Sequence, residues 1–143
     1  MGKNPKIGIY LKKIDILFDS KCNKKLKKFD ITHAQFKTLK YLLENKNKEV
    51  NQKDLEKHFN LSNPTVTGIL NRLELKKFVI RIVDETDGRF KKIKLCEKAI
   101  AIEEDLKKIA DDMESSLVKH MSELEIKSAF EILEKILKNI SEE

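Results

Sequence analysis

Residues 61–74 read LSNPTVTGILNRLE, and this stretch decides the fold of the chain. Ser62 is a good helix N-cap, and Pro64 falls in the first helical turn, where its missing N–H costs nothing. Apolar residues then recur at the spacing of one helical face, at Val66, Ile69, Leu70 and Leu73. The stretch therefore predicts a helix with a narrow buried side and a broad polar side.

A second, shorter helix is predicted just upstream. Asn51 and Asp54 have the spacing of a capping pair, and they begin a helix from Gln52 to His58. Residues 59–61 leave room only for a tight connection to the helix that Ser62 caps. Two capped helices joined in this way are typical of a helix-turn-helix.

A β-hairpin is predicted directly after these helices. Residues 78–83 and 90–95 are rich in β-branched and aromatic residues, and the dipeptide Asp87-Gly88 between them favours a turn. A hairpin with a charged tip at this place is typical of the wing of a winged helix-turn-helix.

Helical periodicity covers the rest of the chain. The first helix is expected over residues 7–28, and a Thr32–Gln35 capping box begins a second one that ends near Asn45. A long helix is expected from Glu97, and a Ser122–Glu125 capping box begins the last helix. The buried stripe of the long helix is expected at Ile100, Leu106, Ile109, Ala110, Met113 and Leu117. The fold class is therefore mainly α with one small β-hairpin.

Composition narrows the function. Among 143 residues there are only 4 Gly and 2 Pro, too few for a sandwich, a barrel or a doubly wound sheet with their many tight turns. No apolar run approaches the length of a membrane span, no signal-peptide core is present, and two cysteines cannot form a disulfide framework. A single cytoplasmic domain spanning residues 1–143 is expected.

The charge is unevenly distributed along the chain. Residues 1–96 carry 23 Lys and Arg against 11 Asp and Glu, a net +12, whereas residues 97–143 carry 7 against 13, a net −6. A basic first part indicates a polyanionic partner such as nucleic acid. The competing interpretation is compositional, with lysine placed on every solvated face.

The polar side of the residue 62–72 helix favours the nucleic-acid interpretation. It carries short hydrogen-bonding side chains and one arginine, which can approach base edges and phosphates closely. Thr65 and Thr67 lie near the N-terminal end, where base edges are reached, and Arg72 is expected to meet phosphate or brace the wing. The predicted DNA contacts are Ser62, Asn63, Thr65, Thr67, Gly68, Asn71 and Arg72 on the helix, and Arg89 and Lys91 on the wing.

From Thr32 to Leu95 the chain resembles the MarR family of winged-helix transcriptional regulators. The residues that carry the resemblance are Thr65-Val66-Thr67, Arg72-Leu73-Glu74, Val79-Ile80-Arg81 and Asp87-Gly88-Arg89, with Thr32 and Gln35 before them. The chain departs from the family pattern at Lys77, where glycine is usual, and at Gly68, where a basic residue is frequent. Lys77 is therefore expected to need an unusual backbone conformation if the turn has a positive φ.

The resemblance implies a homodimeric repressor that a small aromatic or anionic effector releases from a pseudo-palindromic operator in double-stranded DNA. Residues 32–95 would be the DNA-binding lobe, and residues 1–31 and 97–143 the dimerisation region. The effector residues are not identifiable, and no cofactor is expected. The apolar stripes of the terminal helices are too wide for a monomer surface. They place the dimer contacts at Ile7, Tyr10, Ile14, Leu17, Ile126, Phe130, Leu133, Leu137 and Ile140.

Other functions were weighed against this one. A winged helix can bind protein instead of DNA. In that case the exposed face of its second helix would carry aromatic or leucine side chains as anchors. Cys22 has Lys21 and Lys24 beside it, which could lower the pKa of its thiol and make the protein a redox sensor. The alternative is a buried structural cysteine, which is the more common case. The three histidines are scattered and indicate no metal site, and no catalytic motif is present. The chain is therefore not expected to be an enzyme.

Overall fold

The structure, a computed structural model, describes residues 4–83, 85–86, 88 and 91–141. It is mainly helical with one antiparallel hairpin, as the sequence predicts. The elements in chain order are α1 (Ile7–Leu26), a 3₁₀ turn (Lys27–Phe29), α2 (His33–Glu44), α3 (Gln52–Phe59), α4 (Asn63–Leu75), β1 (Val79–Val83), β2 (Lys91–Leu95), α5 (Glu97–Ala101), α6 (Glu103–Leu117) and α7 (Glu123–Ser141). Contacts divide the chain into two compact units, Met1–Ala110 and Asp111–Glu143.

The predicted N-caps are confirmed. The Thr32 hydroxyl accepts a hydrogen bond from the Gln35 N–H, and the Gln35 side chain accepts one from the Thr32 N–H. Asn51 and Asp54 make the same reciprocal pair at α3. The last of the three lies before α7, where Ser122 and Glu125 pair in the same way. Each box satisfies N–H groups that the first turn of a helix leaves without a partner.

The helices end on residues other than glycine. Among the described residues four have a positive φ, namely Asp30, Asn60, Lys77 and His120, and none of them is glycine. Lys77, with φ of 68°, follows α4: its N–H donates to Glu74 O at 3.0 Å, and the Phe78 N–H donates to Leu73 O at 2.9 Å. These two bonds form a Schellman motif, so the unusual conformation expected of Lys77 is confirmed.

Helix α4 lies at the centre of the core of the first unit. Val66, Leu70 and Leu73 are at most 2% exposed, and α4 packs against α2, α3 and β1. The other core side chains come from α1, α2, α3, the hairpin, α5, the start of α6 and the segments just before α3 and β1. They include Cys22, Leu26, Phe36, Leu39, Leu42, Leu43, Val50, Leu55, Phe78, Val79, Ile93, Ala99, Leu106 and Ile109.

The hairpin is attached to the start of α3. Val79 pairs with Leu95 and Val83 with Lys91. Asp84, Asp87, Arg89 and Phe90 lie outside the described residues. The Ile93 N–H donates to Val50 O at 2.9 Å, and Asn51, the N-cap of α3, forms a β-bridge with Lys92. The orientation of β2 is therefore set by the same residues that begin the helix-turn-helix.

The prediction of one long helix from Glu97 is wrong. The helix breaks at Ile102, where φ and ψ are −103° and 8°, and α6 begins at Glu103. The break changes the phase of the apolar residues, so Ile100 lies 48% exposed on α5 instead of joining the buried stripe. Leu117, expected on that stripe, is 45% exposed.

The left-handed backbone of Lys77 gives a stability prediction. A residue with a side chain costs about 1–2 kcal/mol in this conformation, and glycine does not carry that cost. The greater freedom of glycine in the unfolded chain offsets about 0.5–1 kcal/mol of the resulting gain in stability. We expect Lys77→Gly to raise the free energy of unfolding by about 0.5–1 kcal/mol in urea titrations followed by circular dichroism. The control is Lys37→Gly within α2, which should lower it by about 1 kcal/mol. Equal destabilisation by both substitutions would contradict the role assigned to the turn.

Candidate nucleic-acid interface

Helix α4 presents a polar face opposite its buried stripe. Ser62, Asn63, Thr65, Asn71 and Arg72 are exposed on it, and Thr67 and Gly68 are half-buried. The face begins at a well-formed N-terminus, where the Ser62 hydroxyl lies 2.9 Å from the Thr65 hydroxyl and caps the first turn. Free N–H groups and a positive dipole end make such a terminus suited to phosphate.

Two hydrogen bonds between side chains join α3 to this polar face, and we call them the α3–α4 ladder. Gln52 Nε2 donates to Thr67 Oγ1 at 2.7 Å, and Asn63 Nδ2 donates to Glu56 Oε2 at 2.9 Å. The partners are four residues apart on each helix, so both bonds lie on facing sides of the two helices. The ladder fixes the rotamers of Asn63 and Thr67, two of the predicted DNA contacts.

Neither α3 member of the ladder is among the contacts predicted from the sequence. Gln52 and Glu56 are polar residues at i and i+4 on α3, opposite the i and i+4 pair Asn63 and Thr67. That matched spacing across a tight turn was the available signal. The ladder also changes the description of Thr67, since its hydroxyl is half-buried and already accepts a hydrogen bond from Gln52.

A further contact braces the hairpin against the end of α4. Arg81 Nη2 on β1 donates to Glu74 Oε1 at 2.8 Å and also to Asn71 Oδ1, while the Arg81 N–H donates to Glu74 Oε2 at 3.2 Å. The hydrogen bonds from the Arg81 guanidinium and N–H hold the pKa of the Glu74 carboxyl below its usual value of 4.5. The Glu74 carboxylate therefore persists to a lower pH than that of an unperturbed glutamate.

Arg81 stood in the family motif without a role, although an arginine amid the apolar β1 sequence was a visible signal. Its side chain is 14% exposed, as expected for a residue on the face of the hairpin that meets α4. Arg72, which the sequence predicts to meet phosphate or brace the wing, is exposed on α4. The described brace is made by Arg81 and Glu74.

A polar crevice of about 220 Å³ opens between α3, α4 and the hairpin. Lys91, a predicted wing contact, is exposed at the start of β2 and lines it. Arg89, the predicted wing-tip contact, lies outside the described residues. The lining combines the ladder with three cations, and consists of Asn51, Gln52, Lys53, Glu56, Asn63, Thr67, Arg81 and Lys91.

Gly68 lies in the middle of the polar face. A Cβ built on it would meet no atom within 4 Å, so the protein itself does not require glycine there. A glycine in a helix interior costs about 1 kcal/mol relative to alanine. The position where a basic residue is frequent in the resembled family is thus an open gap in the helix surface.

The predicted dimer contacts on the terminal helices are mostly exposed. On α1 the exposed fractions are 63% for Ile7, 56% for Tyr10, 51% for Ile14 and 69% for Leu17. On α7 Ile126 is half-buried, and the others are 65% for Phe130, 49% for Leu133, 65% for Leu137 and 80% for Ile140. Exposed apolar side chains in such number on each of the two helices are typical of interaction surfaces.

Cys22 and the histidines were considered as redox or metal sensors, and Cys22 and His33 are held within the fold. The Cys22 side chain is 1% exposed, so oxidants in solvent do not reach its thiol in this conformation. His33 Nδ1 lies 2.6 Å from Asp19 Oδ1, between the rings of Phe18 and Phe36. Over the described ranges no three His, Cys, Asp or Glu side chains converge as metal ligands.

No helix in the described part of the chain combines the length and the apolar content that a bilayer crossing requires.

Comparison with known proteins agrees with this geometry. Residues 29–89 match the model of the MarR family. The regulator SarZ of Staphylococcus haemolyticus, described as an HTH-type transcriptional regulator, is 36% identical over 88 residues, which are 62% of this chain and 58% of SarZ. The chain thus spans less than two thirds of that relative.

Solved structures extend the match to the whole chain. MepR of S. aureus, in a crystal structure of a MepR–DNA complex, is 33% identical, covers 96% of this chain and all of its own, and has a TM-score of 0.90. The regulator MarR of Oenococcus oeni is 32% identical over 93% of this chain and 99% of its own, with a TM-score of 0.76. Both relatives exceed 30% identity over nearly their full length. The chain belongs to the MarR family of winged-helix transcriptional regulators.

Proposed function

We propose that this protein is a homodimeric repressor that binds a pseudo-palindromic site in double-stranded DNA in the cytoplasm and leaves it when a small effector binds. The observation that carries the proposal is the polar face of α4, with its side chains oriented by α3 and flanked by the cations of the hairpin. A relative with a TM-score of 0.90 is described in complex with DNA. Family membership also agrees with the expectation of a regulator and not an enzyme.

In this proposal residues 32–95 form the DNA-binding lobe. The N-terminal half of α4 enters the major groove, where Asn63 and Thr65 approach base edges. Arg72 meets phosphate, and Arg89 enters the minor groove, where the negative potential is concentrated. Thr67 acts mainly through the ladder, because its hydroxyl accepts the Gln52 amide.

Base reading and phosphate contact can be separated by three substitutions, two on α4 and one at Arg89. Thr65→Ala removes a neutral hydroxyl and should weaken binding to the cognate duplex by about 1 kcal/mol while leaving a scrambled duplex unchanged. Arg72→Ala and Arg89→Ala each remove a charge. They should weaken binding to both duplexes and make the binding affinity less dependent on salt concentration. Fluorescence anisotropy across a salt series measures both quantities. Lys127→Ala, an exposed lysine of α7, is the charge control and should change neither. Equal losses on both duplexes for Thr65→Ala would show that it does not read bases.

Dimerisation by the terminal helices follows from their exposed apolar side chains. Burying such a side chain stabilises an interface by about 1.5–3 kcal/mol, so several of them suffice to hold two chains together. Residues 1–31 and 97–143 form this region in the proposal. A two-fold axis between two lobes then requires half-sites about one helical turn of DNA apart.

Charged substitutions on these faces test the dimer. We expect the full-length protein to sediment as a dimer at micromolar concentration, and Ile14→Glu/Leu17→Glu or Phe130→Glu/Leu137→Glu to give folded monomers that bind a palindromic duplex at least tenfold more weakly. Leu75→Glu is the matched control, because Leu75 is 84% exposed but lies at the end of α4. It should remain dimeric. A wild-type monomer in sedimentation equilibrium contradicts the proposal.

Effector release has a candidate location in the first unit. A cavity of about 500 Å³ lies between the end of α2, the following loop, β2 and α5. Its apolar lining comes from Leu42, Val50, Ile93, Leu95 and Ile100, and its lysines are Lys46, Lys48, Lys92 and Lys94. Lys46 pairs with Glu103 and Lys92 with Glu49. Apolar surface beside positive charge favours an aromatic carboxylate, which fits the anionic effector class that the family resemblance implies.

An aromatic carboxylate and an oxidant distinguish release by an effector from redox sensing. We expect 1-naphthoate to lower the affinity for the cognate duplex, and Lys48→Ala/Lys94→Ala to weaken the response at least threefold. Hydrogen peroxide should leave DNA binding unchanged, because Cys22 is buried, and Cys22→Ser should bind DNA as the wild type does. Rapid release by peroxide that Cys22→Ser abolishes would support the redox alternative over the effector.

A further inference from the structure

The α3–α4 ladder contains one neutral bond and one charged bond. Gln52 holds Thr67 as an uncharged amide, whereas Glu56 holds Asn63 as a carboxylate. For positioning the two helices, a glutamine would serve at residue 56 as it does at residue 52. The ladder therefore does not explain why residue 56 is charged.

The carboxylate lies on a surface where negative charge is unfavourable. Among the described residues that line the polar crevice, Glu56 is the acidic one, beside the cations Lys53, Arg81 and Lys91. Phosphates that approach these cations are repelled by the carboxylate, which lowers the affinity for any DNA. A group that weakens binding in general still raises specificity when it weakens binding to some DNA sequences more than to others.

The chemistry of a carboxylate supplies such a difference. An ionised carboxylate only accepts hydrogen bonds, and the Asn63 amide occupies part of its capacity of about four. When DNA excludes water from the crevice, the remaining oxygen lone pairs require a donor. In the major groove the base donors are the exocyclic amino groups, cytosine N4 and adenine N6, whereas guanine O6 and thymine O4 are acceptors.

On this basis, and resting on the proposed DNA-binding function, we infer that Glu56 is a specificity-determining residue. It accepts a hydrogen bond from an exocyclic amino group at one position of each half-site, and it disfavours guanine and thymine there. Asn63 orients the carboxylate, since its amide fixes Oε2 at 2.9 Å beside the N-terminus of α4.

A glutamine at this position separates the two roles of Glu56. Its side-chain oxygen still accepts the Asn63 amide, so the ladder is retained, but its own NH₂ can donate to guanine O6 or thymine O4. Glu56→Gln therefore keeps a purely structural function and removes the discrimination between amino and keto bases. Glu56→Ala removes both the ladder bond and the discrimination.

The experiment selects binding sites from one random duplex library with the full-length wild type, Glu56→Gln and Glu56→Ala. The affinities of the selected half-sites are then measured with each base at each position. For the wild type we expect one half-site position at which adenine or cytosine binds about tenfold tighter than guanine or thymine. Glu56→Gln should reduce that ratio to within about twofold, at that position only. It should also tighten binding to a scrambled duplex about threefold at low salt, with a smaller gain at high salt.

The matched control is Glu44→Gln, which removes the same charge from an exposed residue of α2 and should keep the wild-type preferences. Circular dichroism establishes that each variant is folded. If Glu56→Gln selects the same bases as the wild type at every position, Glu56 is only a structural member of the ladder and the inference is wrong. It is equally wrong if the wild type shows no preference between amino and keto bases. A wild type that binds no duplex would instead overturn the proposed function.

Discussion

Burial of one side of α4 is the constraint on which the rest of the structure depends. Val66, Leu70 and Leu73 are almost completely enclosed, and α2, α3 and β1 all pack against the helix that carries them. At about 1.5–3 kcal/mol for each buried side chain, this contact is strong enough to fix the rotation of the helix about its axis. Once that rotation is fixed, the residues of the opposite face point in defined directions, and both α3 and the hairpin attach to it at defined places.

The polar face that results is hydrogen-bonded before any partner arrives. Asn63 is held by Glu56, Thr67 by Gln52, and Asn71 by Arg81. These bonds fix the directions of the side chains without using all of their capacity, since the Thr67 hydroxyl still has a proton to donate and the Asn63 amide still has its oxygen. In the proposed complex, phosphate attraction supplies general affinity because it does not depend on sequence, and these oriented polar groups supply selectivity.

The sequence predicts what depends on short distances along the chain. The capping pairs, the polar side of α4 and the unusual backbone of Lys77 each involve residues within four or five positions of one another, and all were found in the structure. The contacts of Glu56 and Arg81 join different elements and depend on packing that periodicity does not describe. The break at Ile102 was missed for a related reason, since no proline or glycine marks it and its neighbours suit a continuous helix.

The high lysine content fits either a nucleic-acid partner or lysine on every solvated face. The contacts of individual lysines show which of them have a structural role. Lys76 Nζ donates to Asp30 O and, at 2.9 Å, to Gln35 Oε1, so it joins the end of α4 to the start of α2. Lys98 Nζ donates to Lys76 O at 2.7 Å and lies 4.4 Å from the centre of the Phe78 ring. These cations bond to carbonyl groups at helix ends, which is a structural role within the chain. The net charge of residues 1–96 therefore overstates the charge directed at DNA, and an estimate of phosphate contacts has to begin from the cations beside α4 and the hairpin.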